Sequence, residues 1–280
     1  MTHSDDFVSI RGVRLPLNEL VHPRLSDETY LSDLAQRMTQ ARPCVHFAED
    51  GWFNPRLLEL VWEEFDMAAE PLWKQVAQNR HEKTHRTPPG TPLGPASHLY
   101  FGIINSGWFV RVLSRVTGIE DLIPDPQLTS GGLHETRAGG HFAIHLDFDR
   151  HQRTGLQNRM VFITYLNKNW DPAWGGALEL WDKSKSTCVT EVEPDFGRSL
   201  CLPHTEFSFH GHPHPLTSPD GTVRRSVAAY FYSNKYAAID RTARVSSRFL
   251  AESRFERARR IGKLITPPVL WDIVAKLARR

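Results

Sequence analysis

From Gly131 onward the chain becomes a succession of short runs broken by turns: HFAIHLDF, RMVFITYLN, GALELWD, SLCLPH, EFSFHG and RRSVAAYFYS. Most are apolar or alternating, several rich in β-branched and aromatic residues, and they are bounded by Gly, Pro, Asn, Asp or Ser, the punctuation of half-buried strands rather than helices. Six such runs in close succession, with no helical pattern between them, predict an antiparallel double sheet or barrel, not a parallel α/β sheet.

Upstream the texture is helical. Tyr30, Leu31, Leu34 and Met38 recur at helical spacing behind a capping Ser26. Asn54-Pro55 reads as an N-cap followed by proline at the first helical position, and Leu57, Leu58, Val61, Trp62 and Phe65 form a stripe expected to pack on the sheet. A further helix around Phe109–Val116 should end at Gly118. Between these, RTPPGTPLGPASH (86–98) holds four prolines and two glycines and predicts a loop, with a lid as one reading. After the last strand come an Arg-rich helical stretch from Ser246 and, beyond Pro267-Pro268, a short amphipathic helix.

With 280 residues, 40% hydrophobic and 24% charged, the chain can close one substantial core. No apolar run approaches the roughly 20 residues that span a bilayer, and MTHSDDFVSI lacks the order of a secretory signal. Cys44, Cys188 and Cys201 match no zinc or disulfide spacing; reduced thiols in a cytoplasmic protein are expected. Residues 240–280 carry 11 Lys or Arg against 4 Asp or Glu, a balance of +7 that leaves −5 for the rest of a chain whose total is +2. That tail reads as a solvated basic helix or as a docking surface for an anionic partner.

Chemistry concentrates in HFAIHLDFDRH (141–151). His145 and Asp147 are two apart and on a strand would share a face, giving either two thirds of a metal site or a hydrogen-bonded pair without metal. A facial triad of two histidines and one carboxylate would need another histidine from a later strand. FSFHGHPHPL offers His210, His212 and His214; His210 ends an alternating run and is the first choice, with His212 in reserve because it precedes a proline. Further on, Arg224, Ser226, Ala228 and Tyr230 share one strand face. Arg224 with Ser226 could grip a carboxylate from two directions, while Arg225 should be solvated.

The order His145-x-Asp147, YLNKNWDPAWGG, EVEPDFGR, His210 and Arg224-x-Ser226 resembles the Fe(II)- and 2-oxoglutarate-dependent oxygenases, in particular their prolyl-4-hydroxylase-like branch. The resemblance implies a double-stranded β-helix (jelly-roll, cupin-like) core over 129–236. The N-terminal helical support region over 1–128 and the basic helical extension over 237–280, read from the sequence pattern, exceed the family's minimal catalytic domain, and the whole is expected to be an α+β protein with one catalytic domain. It implies Fe(II) held by His145, Asp147 and His210. The distal carboxylate of 2-oxoglutarate would be held by Arg224, with Ser226 and Tyr165 beside it. O2 is the remaining co-substrate, and succinate and CO2 are released as a C–H bond is hydroxylated. Asp147 in the carboxylate position favours hydroxylation over halogenation, while desaturation or cyclisation stays open. Arg159 and Tyr230 are candidate substrate contacts at the barrel mouth.

The expected substrate is a small molecule or biosynthetic intermediate. A prolyl hydroxylase acting on a protein is the alternative. A non-catalytic jelly roll docking a carrier protein or other anionic surface through its basic C-terminus is a third reading. Nucleic acid is not an expected partner.

Overall fold

The computed structural model describes residues 6–67, 73–79 and 82–234. The chain divides into a unit of Met1–Ala238 and a second of Ile239–Arg280. The expected basic extension over 237–280 lies outside the described residues.

Among the described residues four α-helices lie N-terminal to Ile123: α1 (Glu28–Gln40), α2 (Pro55–Met67), α3 (Pro95–Ile104) and α4 (Gly107–Thr117). The cap of α1 is Asp27, not Ser26: its carboxylate accepts from Thr29 N at 2.9 Å and Tyr30 N at 3.4 Å. Asn54 caps α2 as expected, its Oδ1 accepting from Arg56 N at 2.8 Å. Gly118 closes α4 in the left-handed conformation at φ 68°.

Helix α3 starts inside the segment expected to be loop. Pro95 stands in its first turn, where a missing N–H costs nothing. Its N-terminal amides are capped from another helix: the buried Glu64 carboxylate of α2 accepts from Ala96 N at 2.7 Å and Ser97 N at 2.8 Å. A tertiary cap leaves no local sequence signal, and with Arg86 closing a strand the unstructured part shrinks to 87–94.

The strands are β1 (Phe7–Ile10), β2 (Val13–Pro16), β3 (Phe47–Asp50), β4 (Lys74–Asn79), β5 (Glu82–Arg86), β6 (Ile123–Pro124), β7 (Gly132–Thr136), β8 (His141–His145), β9 (Gln157–Tyr165), β10 (Leu178–Trp181), β11 (Cys188–Val192), β12 (Arg198–Pro203), β13 (His210–His212) and β14 (Arg224–Ser233). β1 and β2 form a separate hairpin. The others make an antiparallel sheet in the order β11-β10-β13-β8-β5-β7-β14-β9-β12-β3, with β4 beside β5 and β6 beside β14. It curls into a nearly closed jelly-roll barrel. The N-terminal region is therefore not only helical support; it supplies β3, β4 and β5 to the sheet.

Two apolar layers follow from strand alternation. Phe162 of β9 and Val227, Ala229 and Phe231 of β14 face outward onto the helices, packing in one core with Trp52, Phe53, Tyr100 and Phe109. Trp52 stacks on Phe162 with ring centroids 5.7 Å apart. The odd residues of β9, Val161, Ile163 and Tyr165, turn inward with Leu178, Leu180, Leu200, Leu202 and Ala228 to form the barrel's own core. Tyr100 Oη donates to Thr164 Oγ1 at 2.8 Å and so ties α3 to the back of β9. Among the described residues no helix is long and apolar enough to cross a membrane, and all three cysteines are free.

Candidate active site

One end of the barrel holds a cavity of about 340 Å³ whose wall includes His145, Asp147, His210, Tyr165, Arg224, Ser226 and Tyr230. Its floor depends on the pairing of β8 with β13. His210, the first residue of β13, lies directly across from His145, the last of β8, the closest lateral relation a sheet allows. The segment EFSFHG is thus a strand only from His210. The residues before it form a turn in which Ser208 Oγ accepts from Thr205 N at 3.1 Å. Asp147 lies just past the end of β8, so the loop rather than strand parity delivers it to the histidines.

Ligating atoms of His145, Asp147 and His210 lie within 4.8 Å of one another, an arrangement that could hold a metal ion. Asp147 Oδ1 is 3.6 Å from His145 Nε2, and Oδ2 is 3.6 Å from His210 Nε2. The other ring nitrogens are engaged. His145 Nδ1 is 2.9 Å from Ala143 O, and His210 Nδ1 is 2.8 Å from Ser208 O. A carbonyl can only accept, so each Nδ1 carries the proton and each Nε2 presents a lone pair to the shared space. Phe142 stacks on the His145 ring at 3.9 Å between centroids and fixes its plane.

The electrostatics fit that arrangement. Burial pushes His210 down to about 4 despite Asp147. Burial would also lower His145, but the Asp147 carboxylate outweighs it and the net shift is upward. Asp147, although buried, is held well below its usual value by His210, His145 and His204. His204, which no sequence pattern marks, stands with Nε2 2.8 Å from Asp147 Oδ2, though not aligned as a hydrogen bond. His212 ends β13 and is buried on the cavity wall, its Nδ1 lacking a hydrogen bond.

Register explains the second group. Ser226 of β14 pairs with Tyr165 of β9, and Arg224 lies two residues before Ser226 on the same face. Arg224 Nε donates to Gly176 O at 2.7 Å, and its guanidinium carbon sits 5.0 Å from the Tyr165 ring centroid. Gly176 permits this approach: at φ 83°, a Cβ there would lie 3.0 Å from Arg224 Cδ. Arg225, expected in solvent, is buried instead. It pairs with Asp66 and lies over the Trp62 and Phe65 rings at 4.9 and 5.2 Å. The outward face of β14 is covered by α2, so the opposite strand face is also interior.

Of the candidate substrate contacts, Tyr230 lines the cavity and its Oη donates to Asp147 Oδ1 at 3.4 Å. Arg159 sits near the other end of β9, where its guanidinium donates to Ser233 Oγ at 3.0 Å, and is not among the cavity-lining residues. Two buried polar atoms facing the space, Asp147 Oδ2 and Tyr165 Oη, have no hydrogen-bond partner. A cation beside the first and a carboxylate beside the second would satisfy them, so the residues fit both a metal ion and a dicarboxylate.

Residues 131–232 match the family model described as the 2OG-Fe(II) oxygenase superfamily. Among solved structures, a prolyl-4-hydroxylase from Pseudomonas putida is similar at 16% identity and TM-score 0.54, covering 73% of this chain and 99% of that one. A Trichoplax adhaerens prolyl hydroxylase in complex with a hypoxia inducible factor oxygen degradation domain peptide fragment is similar at 17% identity and TM-score 0.56, covering 78% and 96%. An oxidoreductase of the 2OG-Fe(II) oxygenase family from Burkholderia pseudomallei follows at 11% and 0.51, covering 72% and 90%. At such identities the likeness is one of fold. No curated protein matches the chain.

Proposed function

Because residues 131–232 belong to the 2OG-Fe(II) oxygenase superfamily, we propose that this dioxygenase hydroxylates an unactivated C–H bond of a small molecule or biosynthetic intermediate. The observation that carries the reading is the joint placement of the His145, Asp147 and His210 ligating atoms and the Arg224 guanidinium on one cavity wall. The family uses Fe(II), 2-oxoglutarate and O2. When bound, these supply the oxidising chemistry and release succinate and CO2.

In this reading His145 and His210 hold the metal through Nε2, each ring oriented by its backbone carbonyl, and Asp147 completes the set of three. Tyr230 keeps the Asp147 carboxylate turned toward the histidines through its bond to Oδ1. Arg224 pairs with the distal carboxylate of 2-oxoglutarate, with the Tyr165 and Ser226 hydroxyls donating beside it. The apolar inner residues Val161, Ile163, Leu178 and Ala228 exclude water from the remaining space. A cavity of about 340 Å³ that also takes the co-substrate leaves room for a small compound or a single side chain. The second reading, a prolyl hydroxylase acting on a protein, is favoured by the fold likeness to the two prolyl hydroxylases. The free thiols accord with a cytoplasmic setting.

The test is an anaerobic titration of Fe(II) and 2-oxoglutarate into metal-free protein, followed through the visible charge-transfer band. The band is expected in the parent, absent in His145→Ala and weakened in Arg224→Ala. A folded parent without the band would overturn the reading. Succinate release with small compounds, against proline-containing peptides, then separates the two substrate classes.

A further inference from the structure

Arg224 is not the only arginine on the cavity wall. β5 lies between β8 and β7, and Arg86, its last residue, pairs with His134 of β7, which pairs in turn with Ser226 of β14 and that with Tyr165 of β9. Arg86, His134, Ser226 and Tyr165 therefore form one row across four strands, and all four line the cavity. At about 4.8 Å between strands, roughly 10 Å of sheet separates Arg86 from Ser226.

Among the described residues the Arg86 side chain has no hydrogen bond and no ion pair, although it is half-buried. The nearby carboxylates on the same wall are already engaged. Glu82 accepts from Thr84 Oγ1 at 2.7 Å, and Glu135 accepts from Arg137 Nε at 2.7 Å. A guanidinium has five donors and no acceptor, and it is an expensive group to leave unpaired in a sheltered cavity. The co-substrate does not need it: one end of 2-oxoglutarate meets Arg224 and the other belongs at the metal. Leu146, 39% exposed, and Phe148 line the same mouth and offer an apolar surface beside the free cation.

We propose that Arg86 anchors a carboxylate of the substrate, whose hydrocarbon part lies along Leu146 and Phe148 and whose oxidised carbon faces the His145, Asp147 and His210 group. The substrate class is thus a small carboxylic acid. This rests on the function proposed above and adds the recognition element to it. A single guanidinium matches a carboxylate with two parallel hydrogen bonds, whereas a phosphate dianion would call for more cations than this wall holds.

The experiment uses Zn(II) in place of iron with saturating 2-oxoglutarate, and titrates phenylpropanoate, its primary amide and phenylethyl phosphate by calorimetry. The carboxylate is expected to bind about 10- to 100-fold more tightly than the amide, the span of a charge-assisted pair. Arg86→Gln should remove that preference and leave 2-oxoglutarate affinity unchanged, and Arg86→Lys should keep part of it. Equal binding of carboxylate and amide, binding of none of the three probes, a preference that survives Arg86→Gln, or phosphate binding tighter than carboxylate would each overturn the proposal. So would loss of 2-oxoglutarate affinity in Arg86→Gln, which would assign Arg86 to the co-substrate. If Arg86→Gln does not fold, the carboxylate-to-amide ratio of the parent still decides. Failure of 2-oxoglutarate to bind the Zn(II) protein would count against the oxygenase reading; the three probes titrated into metal-free parent and Arg86→Gln would then decide Arg86 separately.

Discussion

Single atoms decide what this cavity can hold. Tyr165 Oη is buried without a partner beside Arg224, so Tyr165→Phe should weaken 2-oxoglutarate about 10-fold or more, the worth of a hydrogen bond to a charged group, in the charge-transfer titration. Protons matter at the same scale. Burial holds His134 and His210 at about 4 and His212 well below its usual 6.5. Between about 6.5 and 4 the unfolded chain therefore binds more protons than the folded one. The stability these groups contribute is complete above about 6.5 and is lost as pH falls toward 4. His145 acts in the opposite sense, its raised value contributing stability that is full below 6.5 and lost as pH rises. Buried His46 is lowered as well, and four groups against one fix the sign: the urea midpoint of metal-free protein should fall from pH ~7 to ~5, and a midpoint that rises would refute the assignment. Residues of this kind were readable when the pattern was local, as in His145-x-Asp147 and Arg224-x-Ser226. His204 and Arg86 were not, because His204 meets Asp147 only through the fold and Arg86 belongs to a strand that its proline-rich neighbourhood disguises.

At the level of elements, the three-residue β13 bears most on the site. Gly211 has no room for a Cβ, which would meet Phe142 O at 2.7 Å and Ala143 O at 2.8 Å. Gly211→Ala should push β13 off β8, costing about 1–3 kcal/mol as overpacking does, and it should weaken metal binding because His210 moves with the strand. Unfolding and Zn(II) titrations would check the two effects together. Glu64 is the corresponding point among the helices. Glu64→Ala would strip the caps from Ala96 and Ser97 and leave Arg11 short of a partner held at 3.1 Å, and about 3 kcal/mol of stability should go with it. Helices with caps close in sequence were legible: α2 from Asn54-Pro55 and α4 from its closing glycine. α3 was hidden by its tertiary cap, and β7 and β11 by the polar residues that interrupt their five-residue sequences.

An antiparallel double sheet or barrel could be read from the spacing of the strand-like runs, and the jelly roll from the family resemblance, whereas the contribution of β3, β4 and β5 to the sheet could not, since long-range pairing writes no periodicity into a short segment. The division of the chain at Ala238 predicts that a protein ending there retains the Fe(II) and 2-oxoglutarate titration. Any salt-sensitive attachment to an anionic surface should disappear with residues 239–280, which a vesicle or carrier-protein pull-down at low and high ionic strength would reveal. The order of strands in the sheet has a further consequence. β5 is inserted between β8 and β7, yet its sequence lies outside the 131–232 segment that matches the oxygenase family and contains His145, Asp147, His210 and Arg224. The cavity is thus written in two separate passages of the chain, so a change in the passage that supplies Arg86 can alter substrate choice without touching the residues proposed to hold the metal and the co-substrate.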